Sequence, residues 1–141
     1  MQAVKYASVS TIDNGRAMIV MGGVHDVHHA LSTTQIVSPY SPTRAGPQMR
    51  EWTIGHCSVP LGDNKIMTTG GQRQSQRYGS NVAEILDLQT GQWEERGRMR
   101  QHRAQHTCQT VWLDKDGRGG DIFYGAVTNT SVLSVVVAGG K

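Results

Sequence analysis

The densest group of candidate metal ligands in this 141-residue chain follows its first glycine pair and consists of His25, Asp26, His28 and His29. Imidazole and carboxylate groups at such spacing could bind zinc or copper. However, the stretch has the composition of a loop, which presents no fixed geometry, and neither cysteine is near it in sequence. We therefore interpret it as a solvated loop, and we expect no bound metal and no other cofactor.

The two cysteines, Cys57 and Cys108, stand one and two residues after a histidine, respectively. Because successive residues of a strand face opposite sides of a sheet, this offset turns the two thiols toward opposite faces of their sheets, one of them toward the interior. A disulfide requires Cα atoms within about 7 Å, and we expect the first strands of neighbouring repeat units to lie farther apart than strands paired in one sheet. We therefore expect two separate, mostly buried thiols, with a disulfide as the alternative.

Basic side chains crowd two further stretches and could bind phosphate groups. Glu94 and Glu95 stand beside the first group, and no aromatic residues interleave with it. Both stretches are therefore interpreted as solvated loops, and no nucleic-acid partner is expected. The arginines concerned are Arg96, Arg98, Arg100 and Arg103 in the first stretch and Arg73 and Arg77 in the second.

An internal repeat supplies the elements that must position these residues. Three apolar segments end in glycine pairs, roughly 50 and then about 70 residues apart, and such self-similarity indicates a repeat architecture. In two places a methionine also stands seven residues before a histidine. The glycine pairs are Gly22–Gly23, Gly70–Gly71 and Gly139–Gly140, and the Met–His pairs are Met49–His56 and Met99–His106. Counting back from Gly22 by the same interval places Ser8 at the histidine position.

The second unit alternates short strand candidates with turn residues. We predict strands at 56–61, 65–69, 81–88 and 92–95, with turns that contain Gly, Asp and Asn between them. Four short strands per unit are typical of a propeller blade. No window longer than about ten residues keeps the apolar spacing of an amphipathic helix, so the fold is predicted to be all-β.

After its glycine pair the second unit reads Leu86-Asp87-Leu88, Thr90-Gly91-Gln92-Trp93, Met99, Arg103 and His106. This order resembles the Kelch repeat. The resemblance implies a partial, open Kelch-type β-propeller with blades of four antiparallel strands. Blade one would span 1–55, blade two 56–104 and half of blade three 105–141, with an insertion at 118–131. It also implies structural roles for Gly22, Gly23, Gly70, Gly71, Trp93, Met99, Arg103, His106, Gly139 and Gly140.

The first unit departs from this pattern, because no tryptophan follows the turn-like run Tyr40-Ser41-Pro42-Thr43. The fourth strand of blade one is therefore without support in the sequence. In the third unit only the first two strands are expected.

One group of enzymes is similar to Kelch propellers, the galactose and glyoxal oxidases, which hold copper beside a Cys–Tyr crosslink. Cys57 resembles their crosslinking cysteine, but the place of the tyrosine is taken by His106. We therefore expect no enzymatic activity and keep a fragment of such a copper enzyme as an alternative.

Two and a half blades fall short of the four to eight that close a propeller. The missing blades are expected from a longer parent chain or from other copies, and a ring-completing, sugar-binding oligomer is the second alternative. The chain carries a net charge of +3 and has no apolar run of about 18 residues, so no membrane partner is expected. The sequon Asn129-Thr130-Ser131 would accept a glycan only in a secreted protein, which favours an extracellular over a cytoplasmic location.

The resulting functional prediction is a protein-interaction module, because propeller loops form a rigid and variable recognition surface. The loops concerned are 24–34 and 72–80, which join the second and third strands of successive blades, and the expected partner is a protein. The candidate binding residues are His25, His28, His29, Arg73, Arg77 and Tyr78.

Overall fold

The computed structural model describes residues 3–114, 122–127 and 131–140, with side chains for 3–110 and 135–140. Within these ranges the regular structure is nearly all β-strand, arranged in antiparallel sheets. No helix there is long and apolar enough to cross a membrane. The all-β class and the four-stranded antiparallel blades predicted from the sequence are confirmed.

Blade one is a four-stranded sheet whose strands follow one another in chain order. The strands are β1 (Ser8–Ile12), β2 (Ala17–Met21), β3 (Thr34–Ser38) and β4 (Ser41–Ala45), and a short 3-10 turn (Asp13–Gly15) joins the first two. The fourth strand is therefore present although the tryptophan is missing. It pairs with β3 through Gln35↔Ala45 and Ser38↔Ser41, and its side chains are all exposed. Backbone pairing thus defines this strand, and as an edge strand it tolerates Pro42.

Blade two is also a four-stranded sheet whose strands follow one another in chain order. Its strands are β6 (Cys57–Gly62), β7 (Lys65–Thr69), β9 (Ser80–Asp87) and β10 (Gln92–Arg103). A two-stranded ribbon of β5 (Thr53–Ile54) and β8 (Gln72–Arg73) connects the segment that enters the blade with the loop after β7.

Blade three is described as a three-stranded sheet in the order β11, β13, β12. The strands are β11 (Thr107–Asp114), β12 (Ile122–Val127) and β13 (Ser131–Ala138). Only two strands and an insertion at 118–131 were predicted here, but β12 lies inside that stretch. It pairs with β13 on the edge where β3 and β9 pair in the other blades. The third-strand position is therefore filled by a segment that precedes its neighbour in the chain.

The core lies between the blades. One cluster joins blades one and two (Ile19, Met21, Ile36, Met49, Ile66 and Leu86). A second cluster joins blades two and three (Val59, Leu61, Met67, Met99, Val135 and Val137). Because neighbours on a strand alternate sides, Ile66 packs toward blade one while Met67 packs toward blade three. The second strand of blade two, β7, is therefore buried on both faces from Ile66 to Thr69.

A disulfide joins Cys57 to Cys108, with their Cα atoms 6.0 Å apart, so the prediction of two separate thiols was wrong. The premise about opposite faces was correct. Cys57 shares its face with Val59, toward blade three, and Cys108 lies beside Val137, toward blade two. Opposite faces of two neighbouring blades are the surfaces that meet, so the two sulfur atoms face each other across the joint.

Candidate functional site

Each joint between blades is built from the repeat residues. Gly70 has a φ of +62°, and a Cβ there would lie 2.6 Å from both the Arg103 carbonyl oxygen and His106 Cε1, so only glycine fits. The next residue, Gly71, donates its N–H to the Arg103 oxygen at 2.8 Å, as Gly23 does to the Thr53 oxygen. The glycine pair of one blade therefore receives the start of the following blade.

A buried histidine completes each joint. His56 Nε2 shares a hydrogen bond of 2.7 Å with the Ser8 hydroxyl, and His106 Nε2 shares one of 2.8 Å with the Thr69 hydroxyl. In both cases the hydroxyl belongs to the preceding blade. Burial lowers the pKa of His56 to about 3, with smaller contributions from the charges of Arg73 and His106. Burial and then the charge of Arg103 lower the pKa of His106, so both rings are neutral near pH 7.

The structure corrects the register of the first unit. A Cβ at Gly23 would meet Ala7, whereas a Cβ at Gly71 or Gly140 would meet His56 or His106. The turn between β1 and β2 is one residue longer than the turn between β6 and β7, so counting back from Gly22 by the interval of the second unit stops one residue short. Ala7, not Ser8, stands at the histidine position.

The equivalent positions at the start of the first strand of each blade follow from this register. Ser8, Cys57 and Thr107 are equivalent, because each pairs with the residue that precedes its glycine pair.

We expect acid to destabilise the protein through His56. The unfolded chain binds a proton near the ordinary pKa of 6.5, whereas the folded chain binds one only near pH 3. Protonation therefore favours unfolding, and this contribution to stability is present above pH 6.5 and is lost as the pH falls toward 3. Between pH 7 and pH 5 the free energy of unfolding should fall by about 2 kcal/mol from this residue.

Chemical denaturation at the two pH values measures this effect. His56→Gln should flatten the dependence, whereas His28→Gln, at an exposed histidine, should leave it unchanged. An equal pH dependence in wild type and His56→Gln would contradict the prediction.

The other residues assigned structural roles in the repeat also form contacts between separate strands and loops. The Trp93 indole N–H donates to the Gln48 carbonyl at 3.0 Å, and Arg50 donates to the Trp93 carbonyl at 2.6 Å. Arg103 donates to the carbonyl of Gly139. Met99 is buried in the second core cluster. These contacts attach the segments between blades to the blades on either side.

Three segments at one end of the blades form a common surface, which we call the loop face: residues 24–33, 46–52 and 74–79. The middle segment is bound to the first through Met49 N–H to Ser32 O, at 2.8 Å. It is bound to the third through Glu51, whose carboxylate accepts the Ser75 N–H at 2.9 Å and the Ser75 hydroxyl at 2.8 Å. The loops of neighbouring blades are thereby held in one arrangement.

The histidine-rich loop forms the first part of the loop face, and His25, His28 and His29 are exposed. Asp26 accepts hydrogen bonds from the His28 N–H at 2.8 Å and from His29 Nδ1 at 2.7 Å. These bonds, the one from His28 first, lower the pKa of Asp26. In the described part of the chain, no three His, Cys, Asp or Glu side chains gather where they could hold a metal ion.

Arg73 lies inside the molecule, not on the loop face. Its guanidinium Nη1 lies 2.7 Å from Glu84 Oε1 and 3.7 Å from Glu51 Oε1, and both Arg73 and Glu84 are buried. The residue belongs to β8, which the β5 ribbon holds against the blade, so its side chain turns inward toward β9. We therefore leave it out of the binding surface.

Arg77 and Tyr78 are exposed on the loop face, and the Tyr78 side chain is 98% exposed. They line a shallow depression of about 510 Å³ together with residues 74–76, Gly79 and His102. His102 Nδ1 lies 3.0 Å from the Gly79 carbonyl oxygen, and this contact holds the imidazole ring at the side of the depression.

Sequence reasoning missed two residues of the loop face and its rim. His102 lies far from the loop in sequence. Val27 is exposed among the histidines, and an apolar residue within a polar loop was the signal that could have revealed it.

The alternative of a copper oxidase loses its central residue in this structure. Cys57 is bonded to Cys108, so its sulfur is not available for a crosslink to a tyrosine.

Comparison with known protein families gives one match. Residues 54–100 match the family model of the Kelch motif, and no curated protein matches the chain. The matched residues cover blade two from β5 to β10, which is the unit whose glycine pair, tryptophan and Met–His spacing suggested the resemblance. Blade two is thus a Kelch repeat, a motif that is typical of protein-interaction modules and is generally not enzymatic.

Proposed function

We propose that this Kelch-type chain is a non-enzymatic module that binds a partner protein through its loop face. The observation that carries the proposal is the fixed connection of two inter-strand loops through residues 46–52, which leaves Val27 and Tyr78 exposed. Loops held by a rigid scaffold are where binding residues concentrate.

The depression around Tyr78 is the favoured anchor point. Tyrosine and arginine are enriched among the residues that dominate binding energies, and here Tyr78 and Arg77 stand side by side at its edge. On the other loop, Val27 lies between the exposed His25 and His28. The partner is therefore expected to place an apolar group against Tyr78 and polar groups around it.

Affinity capture with matched variants tests this proposal. Tyr78→Ala should weaken retention of the captured protein at least tenfold, the loss typical of an interface hot spot. Tyr40→Ala is the control, because Tyr40 is also exposed but lies in the turn between β3 and β4, at the opposite end of the blade. Equal retention by both variants would overturn the loop face as the binding surface.

The disulfide supports an oxidising compartment, as in secreted proteins, and so agrees with the extracellular location that the sequence favoured. The sequon that contributed to that prediction includes Asn129 and Thr130, which lie outside the described residues. Alkylation of the protein from its native source, followed by mass spectrometry, tests the proposal. Cys57 and Cys108 should resist alkylation before reduction, and free thiols would contradict it.

A further inference from the structure

The molecule presents two unpaired halves of the joint that it uses internally, and the first lies on blade one. Tyr6, Val9 and Met18 are all exposed on this blade. Met18 occupies the position that Ile66 holds in blade two, since each stands four residues before the first glycine of its pair, on a strand that pairs with the third strand of its blade. Met18 is 44% exposed and Ile66 is 1% exposed, because blade one covers Ile66. The face of blade one is therefore a blade-binding surface without its blade.

The second half lies on blade three, at its glycine pair. Gly22, Gly23, Gly70 and Gly71 are buried beneath the following blade, whereas Gly139 and Gly140 are exposed. A Cβ at Gly139 would meet nothing within 4 Å, although at Gly70 it would meet Arg103 and His106. Blade three thus carries the receiving side of a joint.

A ladder of backbone hydrogen bonds runs across the blades and points to the same two places. Gly55 N–H donates to the Tyr6 carbonyl at 2.9 Å, and Gln105 N–H donates to the Gly55 carbonyl at 2.7 Å. All three residues have positive φ values, of 57°, 66° and 54°, so they hold equivalent conformations. The next bond of this ladder would run from a Tyr6 N–H to a Gln105 carbonyl.

The histidine positions show that these two halves match each other. In both internal joints a hydroxyl from one blade meets a histidine from the next. In blade three the Thr107 hydroxyl donates within its own blade, to the Ala138 carbonyl at 3.3 Å, and blade one has Ala7 where the histidine would stand. The Thr107 hydroxyl is thus bonded within blade three, and the blade proposed to face it has an alanine in place of the histidine that would need a hydroxyl partner.

We propose that blade three of one copy packs against blade one of a second copy, so that two chains form a closed ring of six blades. Propellers contain about four to eight blades. Two copies of the three described blades give six, which lies within this range. The contact is head-to-tail and closes by a two-fold rotation.

The internal joints specify the contacts of the new one. The Gly140 N–H would donate to the carbonyl oxygen of Val4 of the partner subunit, as the Gly23 N–H donates to the carbonyl oxygen of Thr53. Thr107 would face Val9 of the partner subunit, since these are the positions of Cys57 and Cys108 in the joint between blades two and three.

Light scattering coupled to size exclusion tests the assembly in the full chain. The expected mass is twice the 15.4 kDa of one chain. Met18→Lys should halve it by placing a charge in the joint, whereas Tyr40→Lys, an exposed control outside the joint, should not. A monomeric wild type at micromolar concentration, or a polydisperse aggregate, would overturn the closed ring.

A pair of engineered cysteines tests the arrangement even if Met18→Lys fails to fold. Val9→Cys with Thr107→Cys copies the geometry of the natural disulfide across the proposed joint. The double variant should run as a covalent dimer without reductant, whereas Tyr40→Cys with Thr107→Cys should run as a monomer. A folded double variant that forms no more covalent dimer than its control would refute the joint.

Discussion

Replacing Glu84 with glutamine is expected to lower the free energy of unfolding by about 3 kcal/mol. The glutamine keeps the size of the side chain but removes the charge that balances Arg73, and removal of one partner from a buried ion pair typically costs about 3–5 kcal/mol. We expect the lower end of this range because Glu51 lies 3.7 Å from the same guanidinium nitrogen. Urea denaturation of the two proteins measures the difference.

The chain supplies its own control for this experiment. Glu95 forms an ion pair with Arg98 at 3.1 Å, but both side chains are about half exposed, and exposed pairs contribute about 1 kcal/mol or less. Glu95→Gln should therefore have little effect. If Glu84→Gln were no more destabilising than Glu95→Gln, burial of the Arg73–Glu84 pair would not be what makes it important.

Removal of the disulfide is expected to have a comparable effect. The double variant Cys57→Ser/Cys108→Ser opens a crosslink between residues 51 apart in sequence. The loop-entropy relation gives a loss of about 4 kcal/mol for a loop of this length. Denaturation should show this loss, and wild type unfolded in the presence of reductant should behave like the double variant.

The loss of stability in the double variant should also be concentrated at one joint between blades. Because the disulfide joins β6 to β11, hydrogen exchange in the double variant should rise first at the amides of β11, at the joint between blades two and three. Uniform acceleration through both joints, or no loss of stability, would contradict this role for the crosslink.

The features predicted correctly from the sequence are those that the chain needs locally. The glycine pairs mark positive φ values and close backbone approach, and no other residue meets both needs at Gly70. Turn residues such as Asp63 and Asn64, both with positive φ, fixed the hairpin of blade two. The strands and their grouping into blades could be predicted from these signals.

The features that sequence reasoning missed depend on how blades meet. Cys57 and Cys108 were assigned to opposite faces correctly, but which faces touch is a property of the packed blades. Arg73 sits in a segment with the composition of a loop, and only the ribbon between β5 and β8 turns it toward Glu84. Pairing partners far apart in sequence therefore decided both cases.

The unequal hairpins of blades one and two show which end of the blade can change in length. The extra residue before Ala17 lengthens the sequence between Ser8 and its glycine pair by one. Ala7 nevertheless meets Gly23 as His56 meets Gly71. The change is absorbed at the turn Asp13–Gly15, where a Cβ on Gly15 would meet nothing within 4 Å. This end of the molecule is thus the natural place to graft an epitope or a fluorescent label, because additions there leave the stacking of the blades and the loop face undisturbed.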